Sequence, residues 1–277
     1  MTGAMLASER HREILARLAS VGGVRVASLA SELNVTQETI RRDLEKLDAE
    51  GKLVRTHGGA MAVETDRREL PLDVRETINL EQKRLIARRA VKELSPGDVI
   101  ALDASSTAHE LAKVIPDIAV TVVTNALPVA SALLDRPAVR VIITGGILDR
   151  PSMSMVGPLA EQSLERFHVQ KLFFSCRGLD LARGLSVTAD EHAGIKRRML
   201  DLCEKAYLLI DCSKFDVRSV EFFAPVDEMD MIITDEGSPS KTLNDIRARG
   251  VAVEQDDDLA ALRARVETER EARFGVR

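Results

Sequence analysis

The stretch Asp103-Ala104-Ser105-Ser106-Thr107 places four oxygen-bearing side chains between the apolar run Val99 to Leu102 and a helical pattern that opens near Ala108. A loop that leaves a parallel strand and feeds a helix presents free backbone N–H groups, and hydroxyls beside it add donors. Its natural chemistry is the binding of an anion such as a phosphate. Thr124-Asn125 and Thr144-Gly145-Gly146 follow the next two apolar runs in the same way. Taken singly, Ser or Thr before a helix is a cap, and Gly-Gly after a strand is a turn. Three such loops in succession point instead to one shared rim of a sheet. Lys214 also falls just behind an apolar run, where an ammonium neutralises a phosphate; the alternative is a surface charge paired with Asp211 or Asp216. His192 lies near the predicted rim as a hydrogen-bonding residue, whereas His109 falls inside the helix after the Asp103 loop and reads as a surface residue or one beside the site.

A second set of residues works through positive charge. Thr36 is placed to cap a helix on which Ile40, Leu44 and Leu47 line one face and Gln37, Glu38, Arg41 and Arg42 face outward, with Val35 and Ile40 spaced for a hydrophobic staple. Arginines one turn into a helix reach guanine edges or phosphates when that helix lies in a major groove, and Thr36 and Gln37 at its start reach the same atoms. Arg55 and His57 stand in the segment Lys52 to Ala60, which reads as two short strands about a glycine turn, the shape of a wing. The plainer alternative is a solvated amphipathic helix, since Arg and Glu at helical spacing pair on many surfaces. The setting decides against it. Three short helices, a tight turn at Asn34, a glycine stop at Gly51 and a basic hairpin fit into the first 60 residues, the parts of a winged helix-turn-helix.

These residues need a scaffold, and the apolar periodicity supplies one. Ser8 to Ser20 carries Ile14, Leu15 and Leu18 at helical spacing until Gly22-Gly23, and Ser28 is placed to cap a short second helix with Leu29, Ala30 and Leu33. Polar, aperiodic residues at 62–70 indicate a hinge, so a linker at 62–80 divides a DNA-binding domain at 1–61 from a larger domain at 81–255. In the larger domain a helical pattern runs from Glu81 to Leu94 and closes at Pro96-Gly97. Apolar runs at Val99 to Leu102, Val120 to Val123, Val139 to Ile143, Lys171 to Ser175, Ala206 to Ile210 and Met229 to Ile233 then alternate with amphipathic helices. That alternation predicts an α/β protein whose second domain is a Rossmann-like, mostly parallel sheet with helices on its faces. The charged end, 256–277, reads as a helical tail.

Composition narrows the function classes. A formal net charge of -5 over 277 residues argues against a protein that coats nucleic acid along its whole length. Residues 1–60 hold nine Lys/Arg against eight Asp/Glu, so the acidic excess lies in the larger domain. With no Trp and one Tyr, the chain lacks the aromatic platforms on which single strands stack. Cys176, Cys203 and Cys212 show neither paired spacing nor a His at zinc-ligand distance, so reduced cytoplasmic thiols are expected, with no metal and no cofactor. No leader pattern and no run approaching the roughly 18 apolar residues of a membrane span is present.

The run VTQETIRRDLEKLDAEGKLVRTHGGA resembles the signature of the DeoR family of bacterial sugar-metabolism regulators, whose TIRRDL core is followed by a hairpin ending in HGGA. The resemblance implies DNA contact by Thr36, Gln37, Thr39, Arg41 and Arg42, and by Arg55 and His57 in the wing. It continues through DASST, Ser175-Cys176-Arg177-Gly178, Glu191 with Lys196 five residues on, and Asp211-Cys212-Ser213-Lys214-Phe215. It implies an effector domain similar in fold to ribose-5-phosphate isomerase and glucosamine-phosphate deaminase, with a sugar phosphate held by Asp103, Ser105, Ser106, Thr107, Thr124, Asn125, Gly145, Gly146, Arg177, Glu191, Lys196 and Lys214. The family loop is usually Asp-x-Gly-Thr-Thr, so Ser105 in place of Gly narrows or reshapes the pocket; Asp216 likewise stands where members often have Gly. DASST with FSCRGLD is closest to the fucose and rhamnose regulators, which implies a phosphorylated six-carbon deoxy sugar. The expected function is repression of a sugar catabolic operon, relieved by a sugar phosphate. Operators with two-fold symmetry require a homo-oligomer, dimer or tetramer. Activation through the same parts is the alternative. A sugar-phosphate isomerase or deaminase is a weaker one, because Asp103 and Glu191 show no convincing acid–base partner in the sequence.

Overall fold

The computed structural model describes residues 6–21, 23–50, 52–56, 58–62 and 69–256, and the chain divides into two compact units, 1–80 and 81–277. In the first unit, α1 (Ala7–Val21) leads through β1 (Gly23–Arg25) into α2 (Val26–Glu32) and α3 (Gln37–Ala49). Then follow β2 (Leu53–Thr56), β3 (Gly59–Ala62) and α4 (Leu72–Thr77). Ile14 and Leu18 of α1, Leu29 of α2, and Ile40, Leu44 and Leu47 of α3 meet Leu53 and Ala60 in one core. The helical spacing of those residues is what makes these segments amphipathic helices. Asn34 adopts φ 51 between α2 and α3, the left-handed turn that a short amide side chain tolerates. The strands form an antiparallel sheet in the order β1-β3-β2, one strand more than the wing alone predicts. Gly59 allows this third strand to close in, because a Cβ there would lie 1.8 Å from the Val24 carbonyl oxygen.

Two sequence expectations change here. Ser28 lies inside α2, which starts at Val26 with Arg25 at the N-cap, so Ser28 does not cap it. Part of the expected linker is helical: α4 contacts α1 and buries Leu72 and Val74.

The second unit begins with α5 (Leu80–Ala90), β4 (Val99–Leu102), α6 (Ser106–Val114), β5 (Thr121–Thr124), α7 (Leu127–Ala132) and β6 (Arg140–Ile143). A hairpin of β7 (Ile147–Asp149) and β8 (Ser154–Val156) precedes α8 (Pro158–Leu164) and β9 (Val169–Phe174). Then come β10 (Gly178–Asp180), β11 (Gly184–Val187), α9 (Asp190–Leu202), β12 (Cys203–Leu209), β13 (Glu221–Ala224), β14 (Met231–Asp235), α10 (Ser240–Ala248) and β15 (Ala252–Asp256). Seven parallel strands make the sheet, in the order β15-β14-β12-β9-β4-β5-β6, while β10, β11 and β13 form a small antiparallel sheet. Strand residues alternate between two apolar layers, as the period of two requires. Ala101, Val123, Leu172 and Leu208 pack with α8, α9 and α10 on one face. Ile100, Leu102, Val122, Phe173 and Tyr207 pack with α5, α6 and α7 on the other. The sixth run therefore does not end the sheet: β15 adds an edge strand and takes in Asp256, at the start of the expected tail, while 257–277 lie outside the described residues.

From β4 the chain builds outward to β5 and β6, then returns to the other side of β4 for β9, β12, β14 and β15. The order reverses between β4 and β9, and at such a switch point the loops beyond the strand C-termini diverge and leave a crevice for a ligand.

Candidate functional site

On α3, Thr36 holds extended backbone at the N-cap, and its hydroxyl accepts a hydrogen bond from the Thr39 amide at 3.1 Å. The Thr39 hydroxyl lies 2.8 Å from that of Thr36, so Thr39 is occupied in the cap. The outward face carries Gln37, Arg41 and Arg42; the two arginine side chains are 53% and 77% exposed, pair loosely with Glu38 at 3.7 and 3.4 Å, and Arg41 also donates a long bond to Gln37 Oε1 at 3.4 Å. Exposed pairs of this kind contribute little and exchange readily for a phosphate. Arg55 donates to Glu45 at 2.7 Å, which ties the hairpin to α3, and its side chain is 36% exposed. His57 lies outside the described residues. The face opposite the arginines holds a group not anticipated from sequence. Asp43 is buried on α3 and receives both Nε and Nη2 of Arg10, the latter at 3.1 Å, with His11 Nε2 at 2.9 Å.

At the switch point of the second unit, Asp103 emerges from β4 with 1% of its surface exposed. Its Oδ1 accepts from the Ser105 amide at 3.1 Å and hydroxyl at 2.5 Å, and its Oδ2 accepts from the Ser175 amide at 3.2 Å and from Lys196 Nζ. Ser105 Oγ in turn accepts from the Ala108 amide and caps α6, which starts at Ser106, earlier than the sequence pattern indicated. Ser175 leaves β9, and its hydroxyl accepts from Lys214 Nζ at 2.8 Å. Asp103 and Ser175 thus stitch the two strands that flank the crevice, and two lysines converge on that stitch. Among the described residues Lys214 has no carboxylate within ion-pair distance, so its pairing with Asp211 or Asp216 is not seen. Cys176 lies buried beside Lys214, Lys196, Asp103 and Asp211, and its burial pushes the thiol up to about 11.

The other rim loops are also in place. Thr124 caps the next turn through Ala126 N at 3.1 Å, and Asn125 donates from Nδ2 to the Met155 carbonyl at 2.9 Å. Gly146, at φ 130, is required by close packing, since a Cβ would meet Ala160 and the Val156 carbonyl at 2.8 Å; at Gly145 a Cβ would make only ordinary contact with Ser163 Oγ at 3.8 Å. The loop after β6 enters the β7–β8 hairpin rather than a helix, unlike the loops after β4 and β5. Thr107 Oγ1, Asn125 Oδ1 and Thr144 Oγ1, one from each rim loop, are buried without a hydrogen-bond partner. Buried polar atoms without partners cost about 1–3 kcal/mol each, and their concentration at one rim marks a place where a partner belongs. Arg177 and Glu191 are exposed, and no hydrogen bond or ion pair among the described residues joins them to the Asp103 cluster. Lys196 pairs with Asp103. His109 is half-buried.

Two family descriptions fit the chain, a DeoR-like helix-turn-helix domain over residues 10–66 and a DeoR C terminal sensor domain over residues 78–236. The chain belongs to the DeoR family. It is a DeoR-type transcriptional regulator, with relatives along most of its length. It is 41% identical to an uncharacterized HTH-type transcriptional regulator, YulB, of Bacillus subtilis, covering 90% of this chain and 98% of the relative. It is 36% identical to a putative aga operon transcriptional repressor of Escherichia coli, covering 89% and 93%. An L-fucose operon activator of Haemophilus influenzae is 39% identical, covering 79% and 88%. Among solved structures, ribose 5-phosphate isomerase A of Methanocaldococcus jannaschii aligns with 50% of this chain and 55% of its own at a TM-score of 0.37 and 16% identity, too distant to bear on function.

In this DeoR-family chain Asp216, where the sequence resemblance implies a glycine, has φ 58, a conformation that glycine adopts without cost. Among the described residues no group of three or more His, Cys, Asp or Glu is disposed to hold a metal ion, and no helix is long and apolar enough to cross a membrane.

Proposed function

We propose that this DeoR regulator represses a sugar catabolic operon by laying α3 in the major groove of a double-stranded operator, and that a phosphorylated sugar bound at the β4–β9 rim releases it. The observation that carries the DNA reading is the division of α3: Ile40, Leu44 and Leu47 are buried, while Arg41 and Arg42 project from the opposite face, exposed and held only by long surface bonds. Thr36, Gln37 and Arg55 flank them, and Thr39 acts through the cap. His57 is retained in the proposal on the strength of the family motif.

The sensor reading is supported by chemistry. The capped N-terminus of α6, with Ser106 and Thr107 in its first turn, offers backbone donors to an anion. Lys214 supplies the ammonium, and the unpartnered Thr107, Asn125 and Thr144 atoms await donors or acceptors. Asp103 and Lys196 hold the rim in shape. The buried Asp103 is fully engaged in structural bonds, which supports a sensor without turnover over an isomerase or deaminase. We place the protein in the cytoplasm as a homo-oligomer, dimer or tetramer, since a two-fold operator is matched by a two-fold protein.

The test is fluorescence anisotropy of a labelled DNA fragment from upstream of the protein's own operon. Binding is expected to weaken as salt rises, through counterion release, and to be lost on addition of one sugar phosphate but not its free sugar. Affinity that stays flat with salt sinks the DNA reading, and release by no sugar phosphate sinks the sensor reading.

A further inference from the structure

A polar cluster in the β7–β8 hairpin lies outside the phosphate-binding features above. Asp149 Oδ2 accepts from the Ser152 hydroxyl at 2.5 Å and the Ser152 amide at 3.1 Å. Ser152 is backed by the Ser154 hydroxyl at 2.7 Å; both serines are buried. Between them Met153 takes φ 53, a conformation costly for a residue of its type, so the turn holds this geometry against local preference. His192 Nε2 of α9 lies 3.3 Å from the same Asp149 oxygen, with side chains 11% and 28% exposed. Asp149 Oδ1 and His192 Nδ1 have no hydrogen-bond partner among the described residues, and neither is sealed from solvent.

Placement joins this cluster to the rim. The hairpin is fastened to the loop after β5 by Met155 N to the Asn125 carbonyl at 2.7 Å, Asn125 Nδ2 to the Met155 carbonyl at 2.9 Å, and Leu127 N to the Met153 carbonyl at 3.0 Å. His192 stands four residues before Lys196 on α9, hence on the same helical face and about 6 Å along the axis. The same elements therefore carry two polar groups, Asp149 with His192 at one end and Lys196, Asp103, the α6 N-terminus and Lys214 at the other. One end is cationic and rich in amide donors. The other offers a fixed carboxylate oxygen and an imidazole nitrogen, the pair that reads adjacent hydroxyl groups by accepting from one and bonding the next.

We infer that Asp149 and His192, held by Ser152, are the specificity-determining residues that read the hydroxyl groups at the non-phosphate end of the effector. This rests on the sugar-phosphate reading of the preceding subsection and assigns the hydroxyl-reading role to the hairpin. Rejection of a sugar that lacks or inverts a hydroxyl follows, because a polar site left unpaired costs more than a missing apolar contact.

Isothermal titration of the full-length protein with hexose, deoxyhexose and pentose phosphates tests it, using the isosteric Asp149→Asn together with His192→Gln. The preferred ligand is expected to weaken by about tenfold or more in each variant, and its preference over epimers altered away from the phosphate to collapse by a similar factor. Ser152→Ala, which keeps the carboxylate but unlocks it, gives a smaller change of the same kind. Unaltered discrimination among epimers, or an equal loss for every sugar phosphate, overturns the assignment while leaving the sugar-phosphate reading standing. A wild-type protein that binds none of the panel overturns both.

Discussion

The Arg10 guanidinium of α1 grips both carboxylate oxygens of Asp43, the residue that directly follows Arg42 on α3, and this forked pair is buried. It fixes how far α3 is rotated on α1, and therefore where Arg41 and Arg42 point. Burial works against the charge on Asp43, yet the hydrogen bonds from Arg10 and His11 outweigh it and hold the carboxyl below the ordinary aspartate range. Asp43→Leu leaves the Arg10 charge without its partner and is expected to cost roughly 3 kcal/mol of stability in chemical denaturation. A carboxyl with a depressed folded-state value stabilises above its unfolded value near pH 4, and that contribution is lost as pH falls through the folded value. The acid limb of the wild-type stability curve is therefore steeper than that of Asp43→Asn; coincident acid limbs contradict the role given to the pair.

Arg41→Ala and Arg42→Ala separate phosphate contacts from base contacts. An arginine on phosphate, once removed, lowers the slope of log affinity against log salt by about 0.9 and weakens all sequences alike. One that reads guanine costs about 1–3 kcal/mol and relaxes specificity at one position. Anisotropy titrations at several salt concentrations on the operator and on scrambled DNA give both readouts. A double variant that holds its operator as tightly as the parent defeats the interface.

The arginine face of α3 was legible because its apolar residues recur at helical spacing and Thr36 and Asn34 carry strong local preferences. The Arg10–Asp43 pair was not, since charged residues that pair across 33 positions look like any solvated surface in sequence. The parallel sheet followed from its apolar runs, and β15 was missed because Glu254, Gln255 and Asp256 make it polar, as suits an edge strand. The rim loops were visible through their Ser, Thr and Asn after strands. The bond of Asp103 to Lys196 spans 93 positions and depends on the sheet order, which no local pattern encodes. The hydroxyl cluster on the hairpin was overlooked for a related reason: Asp149 and Ser152 sit in a turn, and only the fold brings His192 to them.

Asp216 offers a backbone test. At φ 58 a β-branched side chain is strained, so Asp216→Val is expected to lose about 1–2 kcal/mol in urea denaturation, while Asp216→Gly matches the parent or gains up to about 1 kcal/mol. Among the described residues the Asp216 carboxylate accepts only a long 3.4 Å bond from Thr242, so little is lost with it. A glycine variant as unstable as the valine variant shows that the side chain, and not the backbone, is what matters there.

All three cysteine thiols are pushed up to about 11, in each case chiefly by burial. At pH 8 only about one thiol in a thousand is then thiolate, so native protein is expected to react far more slowly with a disulfide reagent than the urea-unfolded chain. Rapid reaction of a single thiol in the native state contradicts the upward shift given to that thiol.

Lys196 and Lys214 sit at the same rim but do different work, and substitution separates them. Lys196 neutralises the buried Asp103, so Lys196→Ala strands that carboxylate and is expected to cost roughly 3 kcal/mol, with effector binding lost along with stability. Among the described residues Lys214 bonds only the Ser175 hydroxyl at 2.8 Å, and the melting temperature of Lys214→Ala is expected to stay near the parent's. Its loss falls on the effector. Removing a charged hydrogen bond to phosphate is worth roughly 1.5–3 kcal/mol, about tenfold to a hundredfold in affinity. In thermal-shift titrations Lys214→Ala then melts like the wild type without ligand and needs far more sugar phosphate for the same shift. If Lys214→Ala responds to the ligand as the wild type does, the phosphate is held elsewhere on the rim, and the N-terminus of α6 becomes the group to test next.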